Sequence, residues 1–352
     1  MKKIEDADKN LKVSTTLEEK DIAFFDVSEP PFDIYGITHT DSGFCRVPKA
    51  VADNVNDGVK FLSTNTAGGR VRFKTDSPYV AISAKMPYIT RFAHMPLTGI
   101  AGFDMYIYES GECRFAHTYV PPYDMTNGYD SIYYFKTGGE HEIVLNFPLY
   151  NDVSSLLIGV KEGSSLSGGG KYIDKKPVVY YGSSITQGGC ASRPGNSYQA
   201  IISRALDCDY INLGFSGSAR AEDTIAEYIA ELDMSCFVYD YDHNAPDAAH
   251  LEKTHEKMFK TIRTAQPNLP IIMVTMPLET DMDEIDKRRE IIYRTYRNAL
   301  DGGDKNVYFI NGYDFYKMSG DSGTVDGCHP NDLGFWQMAD TMLPIIRKVL
   351  GL

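Results

Sequence analysis

The sequence predicts an all-β sandwich followed by a three-layer α/β/α domain built on a parallel sheet. Three observations carry this expectation. The first half holds many short runs rich in β-branched and aromatic residues, with no helical periodicity between them. After Lys176 five short apolar runs each precede a stretch of helical periodicity. Between the two lies 163–170, GSSLSGGG, a small-residue stretch suited to a linker or boundary. The expected domains are residues 1–170 and 174–352.

The expected strands of the first half are 31–37, 71–75, 79–86, 102–110, 114–120, 131–137 and 141–150. Several alternate with period 2, as half-buried strands do, and Gly, Pro, Asn and Asp punctuate them. In the second half VVYY (178–181) reads as a buried strand. In 197–206, Tyr198, Ile201, Ile202, Ala205 and Leu206 share one helical face. Further strands are expected at 210–215, 236–241, 270–276 and 307–312. Helices are expected at 221–232, 250–265, 284–300 and 334–350.

Composition narrows the function. The chain has 352 residues, 43% apolar and 24% charged, so it can bury a sizeable core. Its formal charge of −13 offers no basic footprint for nucleic acid or an anionic membrane, and favours neutral small-molecule or carbohydrate-type substrates. Six scattered cysteines form no CxxC pair, so zinc-ribbon and thioredoxin motifs are absent. The opening MKKIEDADKNLK is basic but has no apolar core behind it, and no run reaches the roughly 18 apolar residues of a spanning helix. A cytoplasmic protein is expected. Sequence assigns no oligomeric state.

In a parallel α/β sheet, ligands bind beyond the carboxyl ends of the strands. Ser183 and Ser184 follow the first strand of the second half, and Ser216 and Gly217 the second. Asp242, His243 and Asn244 follow the third. VDGCHPND (325–332) follows the fifth and opens the last helix. A serine hydroxyl needs a base to take its proton, and histidine, with an ordinary pKa near ~6.5, suits that task. A carboxylate on the other ring nitrogen holds the tautomer. DGCH supplies both groups, Asp326 and His329, within one irregular turn. GFSGS can offer a backbone N–H to an oxyanion, and Asn244 a side-chain N–H.

The ordered blocks GSSIT, NLGFSG, DHN and DGCH resemble those of the SGNH hydrolases, also called the GDSL esterase/lipase superfamily. The resemblance implies Ser184 as nucleophile, His329 as base and Asp326 as its carboxylate. It implies Ser184, Gly217 and Asn244 as oxyanion donors, a flavodoxin-like sheet order, and no cofactor or metal. The sequence departs from the family at Ser183, where Asp is frequent, and at DHNAP, where GxND is usual. GFDMY (102–106) is similar to the GxDLY signature of a β domain that precedes certain SGNH esterases. The implied activity is hydrolysis of short acyl esters, acetyl first among them, on carbohydrates through a Ser-His-Asp triad and an acyl-enzyme. An acyltransferase with the same triad, or a catalytically silent carbohydrate-binding protein, are the alternatives.

Several residues admit two readings. Ser183 is a competing hydroxyl. Asn244 could also cap the helix that follows it. Arg193 and Arg220, after the first and second strands, would contact a polar substrate or stand in rim salt bridges. His243, just before Asn244, would tune substrate preference. Residues 87–91, PYITR, could wall the pocket. A Cys328–His329 dyad is disfavoured because adjacent side chains point apart, and Cys190 reads as packing. Asp240, Asp242, His250 and His255 could be metal ligands, but the two histidines do not share a helical face. Tyrosines in the strands read as core more readily than as sugar-stacking groups.

Overall fold

A computed structural model describes residues 7–9, 12–109, 111–277 and 282–352. The first half contains β1 (Ile22–Asp26), β2 (Asp33–Tyr35), β3 (Thr38–Thr40), β4 (Gly43–Cys45), β5 (Arg70–Thr75) and β6 (Tyr79–Lys85). It continues with β7 (Phe103–Glu109), β8 (Glu112–Tyr119), β9 (Gly128–Tyr134), β10 (His141–Asn146), β11 (Ser155–Lys161) and β12 (Leu166–Gly168). One antiparallel sheet has the order β1-β11-β6-β9; the other runs β12-β5-β10-β7-β8, with β2 beside β5. Buried side chains of both sheets, among them Val80, Ile82, Phe103, Met105, Ile143 and Ile158, share one apolar core. That is the sandwich expected from sequence.

Three departures have local causes. The stretch 163–170, expected as a linker or boundary, contains β12, which pairs antiparallel with β5. Small residues mark a place where backbones approach closely as readily as they mark a linker. The short helices α1 (Lys49–Ala52), α2 (Asp57–Leu62) and α3 (Leu97–Ile100) interrupt the β pattern and are too short to carry a periodic signal. Strand β9 lies three residues earlier than expected, pairing with β6 from Gly128↔Lys85 to Tyr134↔Tyr79.

The second half alternates β13 (Asp174–Gly182), α4 (Ser184–Gln187), α5 (Tyr198–Leu206), β14 (Cys208–Gly214), α6 (Asp223–Glu231), β15 (Cys236–Asp240) and α7 (Ala248–Ala265). It ends with β16 (Ile271–Val274), α8 (Met282–Asp301), β17 (Val307–Ile310) and α9 (Asp332–Leu350). The parallel order β14-β13-β15-β16-β17 is the flavodoxin-like one. Period-2 alternation divides its side chains. Val178, Tyr180, Val238 and Ile272 join α5 and α9 in the core that reaches the sandwich. Val179, Tyr181, Phe237, Tyr239, Ile271 and Met273 join α6, α7 and α8 in a second core. Burial on both faces explains why these strands read as continuous apolar runs. No helix among the described residues is long and apolar enough to cross a membrane.

The halves are also tied by buried charge. The Arg70 guanidinium pairs with Asp209, and Arg72 spans Glu142 at 3.0 Å and Asp207 at 3.2 Å. Asp104, the acidic residue of GFDMY, is fully buried. It accepts hydrogen bonds from the Gly195 amide at 2.9 Å and Asn146 at 2.8 Å, and pairs with Arg193 at 3.0 Å. Burial raises its pKa against the pull of Arg193. The signature is therefore a latch onto the loop after β13. Arg193→Ala should cost about 3 kcal/mol, because it strands a buried carboxylate. With Arg193 gone, the folded state holds the Asp104 proton more tightly than the unfolded state. The loss should then be largest at neutral pH and shrink as pH falls, measurable by urea unfolding at several pH values.

Candidate active site

The β13 strand ends on Gly182 because nothing larger fits. A Cβ there would lie 1.9 Å from the Asp240 carboxylate and 2.2 Å from the Thr186 hydroxyl. The two serines then separate by role. Ser183 is the N-cap of α4, its hydroxyl accepting the Ile185 N–H at 3.2 Å. Ser184 is the first residue inside that turn, with its Oγ 2.9 Å from His329 Nε2. The Tyr150 hydroxyl, from the sandwich half, donates to the Ser184 carbonyl at 3.1 Å.

His329 comes from a closed turn before α9. The Val325 amide donates to the His329 carbonyl at 2.9 Å, and Thr324 bridges Pro330. Asn331 caps α9 by accepting from the Leu333 and Gly334 amides. Asp332, one residue on, accepts from the Ser192 amide at 2.8 Å and from Asn196 at 2.9 Å, tying the histidine's helix to the loop after the serine. Asp326 Oδ2 lies 2.8 Å from His329 Nδ1, while Oδ1 accepts the His329 and Cys328 amides at 2.8 and 3.1 Å. A carboxylate only accepts, so Nδ1 carries the hydrogen and Nε2 is left to accept from the serine. Burial alone would raise the Asp326 pKa; the His329 amide, the ring and the Cys328 amide hold it down to about 2.

Two further expected residues lie on the loops after β14 and β15. The Asn244 side chain donates one N–H to the Phe215 carbonyl at 2.8 Å, so its other amide hydrogen is not used in that bond. Gly217 has φ +66°, the left-handed region where a side chain adds strain. Asn244 does not cap the following helix; Asp247 does, accepting from the His250 amide at 2.7 Å. Buried Arg288 holds the Asn244 turn by donating to the Ala245 and Asp242 carbonyls.

The Arg46 side chain was not legible in the sequence. It crosses from the sandwich, fully enclosed, and donates to the carbonyls of Gly214 at 2.5 Å, Asn212 at 3.1 Å, Leu62 at 2.6 Å and Asn65 at 2.8 Å. Its guanidinium also packs 4.6 Å from the centre of the Phe215 ring. Burial pulls its pKa down to about 9, so it stays charged at neutral pH. The loop carrying Ser216 and Gly217 is thus pinned by the other half of the chain.

The remaining expectations divide. Arg193, weighed as a substrate contact or a rim salt bridge, is the partner of Asp104, hydrogen-bonds to the Tyr106 hydroxyl and packs over Phe115 at 4.0 Å; its charge is spent within the fold. Arg220 is exposed and donates to the Gly217 carbonyl at 3.2 Å, beside the site. His243 Nδ1 lies 4.0 Å from Cys328 Sγ. Both His329 nitrogens are engaged by Asp326 and Ser184, which leaves none for a Cys328 dyad. The metal reading of Asp240, Asp242, His250 and His255 dissolves. His255 is buried against Tyr239 at 4.5 Å with its pKa pushed down to about 3, and His250 bonds the Arg220 carbonyl.

Residues 87–91 are tied to neighbouring loops. Arg91 bonds the Tyr123 and Met125 carbonyls, and Tyr88 is held by Asn151. The residues that follow reach the site. His94 stands 5.7 Å from the His329 ring centre, and Phe92 packs 5.7 Å from Tyr150. His94 was missed because a lone histidine in a loop carries no local signature.

Residues 175–347 match the GDSL-like lipase/acylhydrolase family, and residues 22–166 match the GxDLY family, the N-terminus of SGNH-hydrolase-type esterases. No curated protein matches the chain. A structure from Bacteroides ovatus, described as that of a GDSL-like lipase, shares 31% identity over 94% of this chain and 98% of its own, with a TM-score of 0.85. A salicylyl-acyltransferase from a tetracycline biosynthetic pathway is similar in fold: 18% identity, 95% and 99% coverage, TM-score 0.76. So is an acetyl xylan esterase from the rumen bacterium Butyrivibrio proteoclasticus, at 14% identity, 94% and 99% coverage and TM-score 0.57.

Proposed function

We propose that this chain, which belongs to the GDSL-like lipase/acylhydrolase family, is a serine esterase that removes short acyl groups, acetyl above all, from carbohydrates. The reading rests on one observation, the unbroken hydrogen-bond path from Ser184 Oγ through His329 to Asp326. In the first half-reaction Oγ attacks the ester carbonyl as Nε2 takes its proton. His329 then gives that proton to the departing alcohol. Asp326 keeps Nδ1 protonated and offsets the charge of the imidazolium. The Ser184 and Gly217 amides and the Asn244 side chain hold the oxyanion. Water, activated by the same histidine, releases the acyl group.

Short acyl groups are favoured by the likeness in fold to an acetyl xylan esterase, and the turn that carries the serine is itself tightly packed. A Cβ on Gly189 would meet the Tyr150 hydroxyl at 2.9 Å and the Met95 methyl at 3.2 Å. A carbohydrate alcohol is favoured by the acidic, non-basic surface charge and by the likeness in fold to an acetyl xylan esterase. Rates on p-nitrophenyl esters from acetyl to octanoyl test the chain-length claim, with acetyl expected fastest. Product analysis with added sugars separates water from an alcohol as acceptor; free acetate, insensitive to the sugar, is the expected outcome. Acyl transfer to the sugar in place of acetate would make the protein a transferase.

Asn244→Ala should lower kcat by about 10²–10³-fold with little change in KM, since an oxyanion donor acts chiefly in the transition state. Steady-state kinetics on the acetyl ester check it. An equal loss confined to KM would instead mark Asn244 as a substrate-binding group.

A further inference from the structure

We propose that His94, Cys190 and His329 form a site for a borderline-soft divalent cation of the Zn²⁺ type, and that occupancy of this site switches the esterase off. One ring nitrogen from each histidine and the Cys190 sulfur all lie within 4.8 Å of one another, the one such group among the described residues. Tetrahedral zinc, with bonds of about 2.0 Å to nitrogen and 2.3 Å to sulfur, needs donors roughly 3.3–3.8 Å apart. Side-chain rotation can close that gap. Two imidazoles and a thiol select zinc-like ions over Mg²⁺ or Ca²⁺, which prefer oxygen.

The donors come from three segments. His94 lies between the Phe92 ring at 6.1 Å and the His329 ring at 5.7 Å. Cys190 is buried on the turn after the nucleophile and has φ +72°, a left-handed conformation that costs a non-glycine residue energy. Such strain clusters at sites with a task. A cation bound by the buried Cys190 sulfur takes the place of the thiol proton.

The ion and the nucleophile compete for one lone pair. His329 Nδ1–H is committed to Asp326, which leaves Nε2 to the metal. Nε2 is also the atom that accepts the Ser184 proton. Binding therefore releases the Cys190 proton to solvent, forms bonds to His94, Cys190 and Nε2, and frees the serine hydroxyl from its base. Nothing is oxidised or reduced. Water fills the fourth position.

The inhibitory part of this inference rests on the esterase reading, whereas the binding part does not. The metal-free, full-length protein is titrated with Co²⁺ and then Zn²⁺, following thiolate-to-cobalt absorption and p-nitrophenyl acetate turnover. One cobalt per chain should give the thiolate band, Zn²⁺ should abolish it, and turnover should fall at least about tenfold and return with EDTA. Cys190→Ser should remove the band. Cys190→Ser and His94→Gln should each raise the inhibitory Zn²⁺ concentration by about 10–100-fold, each referred to its own metal-free rate. Absence of the band, or inhibition unchanged in both variants, overturns the site. A metal-free protein with no turnover would overturn the esterase reading instead, and the cobalt band would still decide the site.

Discussion

Ser184→Ala is expected to lower kcat on acetyl esters by about 10⁴–10⁶-fold, the loss seen when a serine hydrolase is left with its oxyanion donors alone. The change removes one hydroxyl and leaves the backbone donors and the Ser183 cap in place. Stability should therefore move by less than about 1 kcal/mol. Ser183→Ala is the matched control. It removes the hydroxyl that caps α4 and touches no atom of the proton path. It should cost about 1 kcal/mol of stability and keep turnover within about tenfold of the parent. Turnover, thermal melting and the intact mass of an acyl-enzyme trapped at short times check both variants. A Ser184→Ala protein that still forms the acyl adduct would remove Ser184 from its role.

Asp326→Asn is expected to lower kcat by about 10⁴-fold through the wrong histidine tautomer, and the turn explains why rotation of the amide cannot rescue it. Oδ1 accepts two backbone N–H groups, from Cys328 and His329. An asparagine must keep its oxygen there, because turning its NH₂ toward them would set donors against donors. The NH₂ then faces Nδ1, which becomes the acceptor, and the ring hydrogen moves to Nε2, where it points at Ser184. The histidine can no longer take the serine's proton. Kinetics measure the loss, and the imidazole NMR signals report the tautomer.

The same substitution has a signature in acid. The folded pKa of Asp326, about 2, lies below its ordinary 3.8. Its contribution to stability is thus complete above the higher value and lost as pH falls through the lower one. The parent's stability should decline across that window more steeply than that of Asp326→Asn, which has no proton to gain. In the parent, Asp326 is already ionised wherever the enzyme works.

Much of the site was legible because each block is a local device. A serine just past an apolar strand, a glycine where two backbones converge, and an acid three residues before a histidine leave their marks within a few positions. The same holds for the five buried parallel strands, whose unbroken apolar runs follow from burial on both faces. Strands β1 and β11 escaped because IAFFD and SLLIGVK offer no clean alternation, yet β11 pairs with both β1 and β6 in its sheet. The strand within 163–170 escaped for a related reason: glycine and serine are compatible with a mobile connection and with a tightly packed edge strand.

The sequence by itself determined the two-part architecture and the ordered blocks, and it singled out the serine, histidine and carboxylate proposed for catalysis, since these depend on residue type and short spacing. Only the tertiary structure decided which serine caps and which faces the base, that Arg193 serves Asp104 and not a substrate, and that Arg46, Tyr150 and His94 of the sandwich complete the site. Those roles belong to contacts between segments far apart in the chain, and a contact of that kind exists only once both segments are buried against each other.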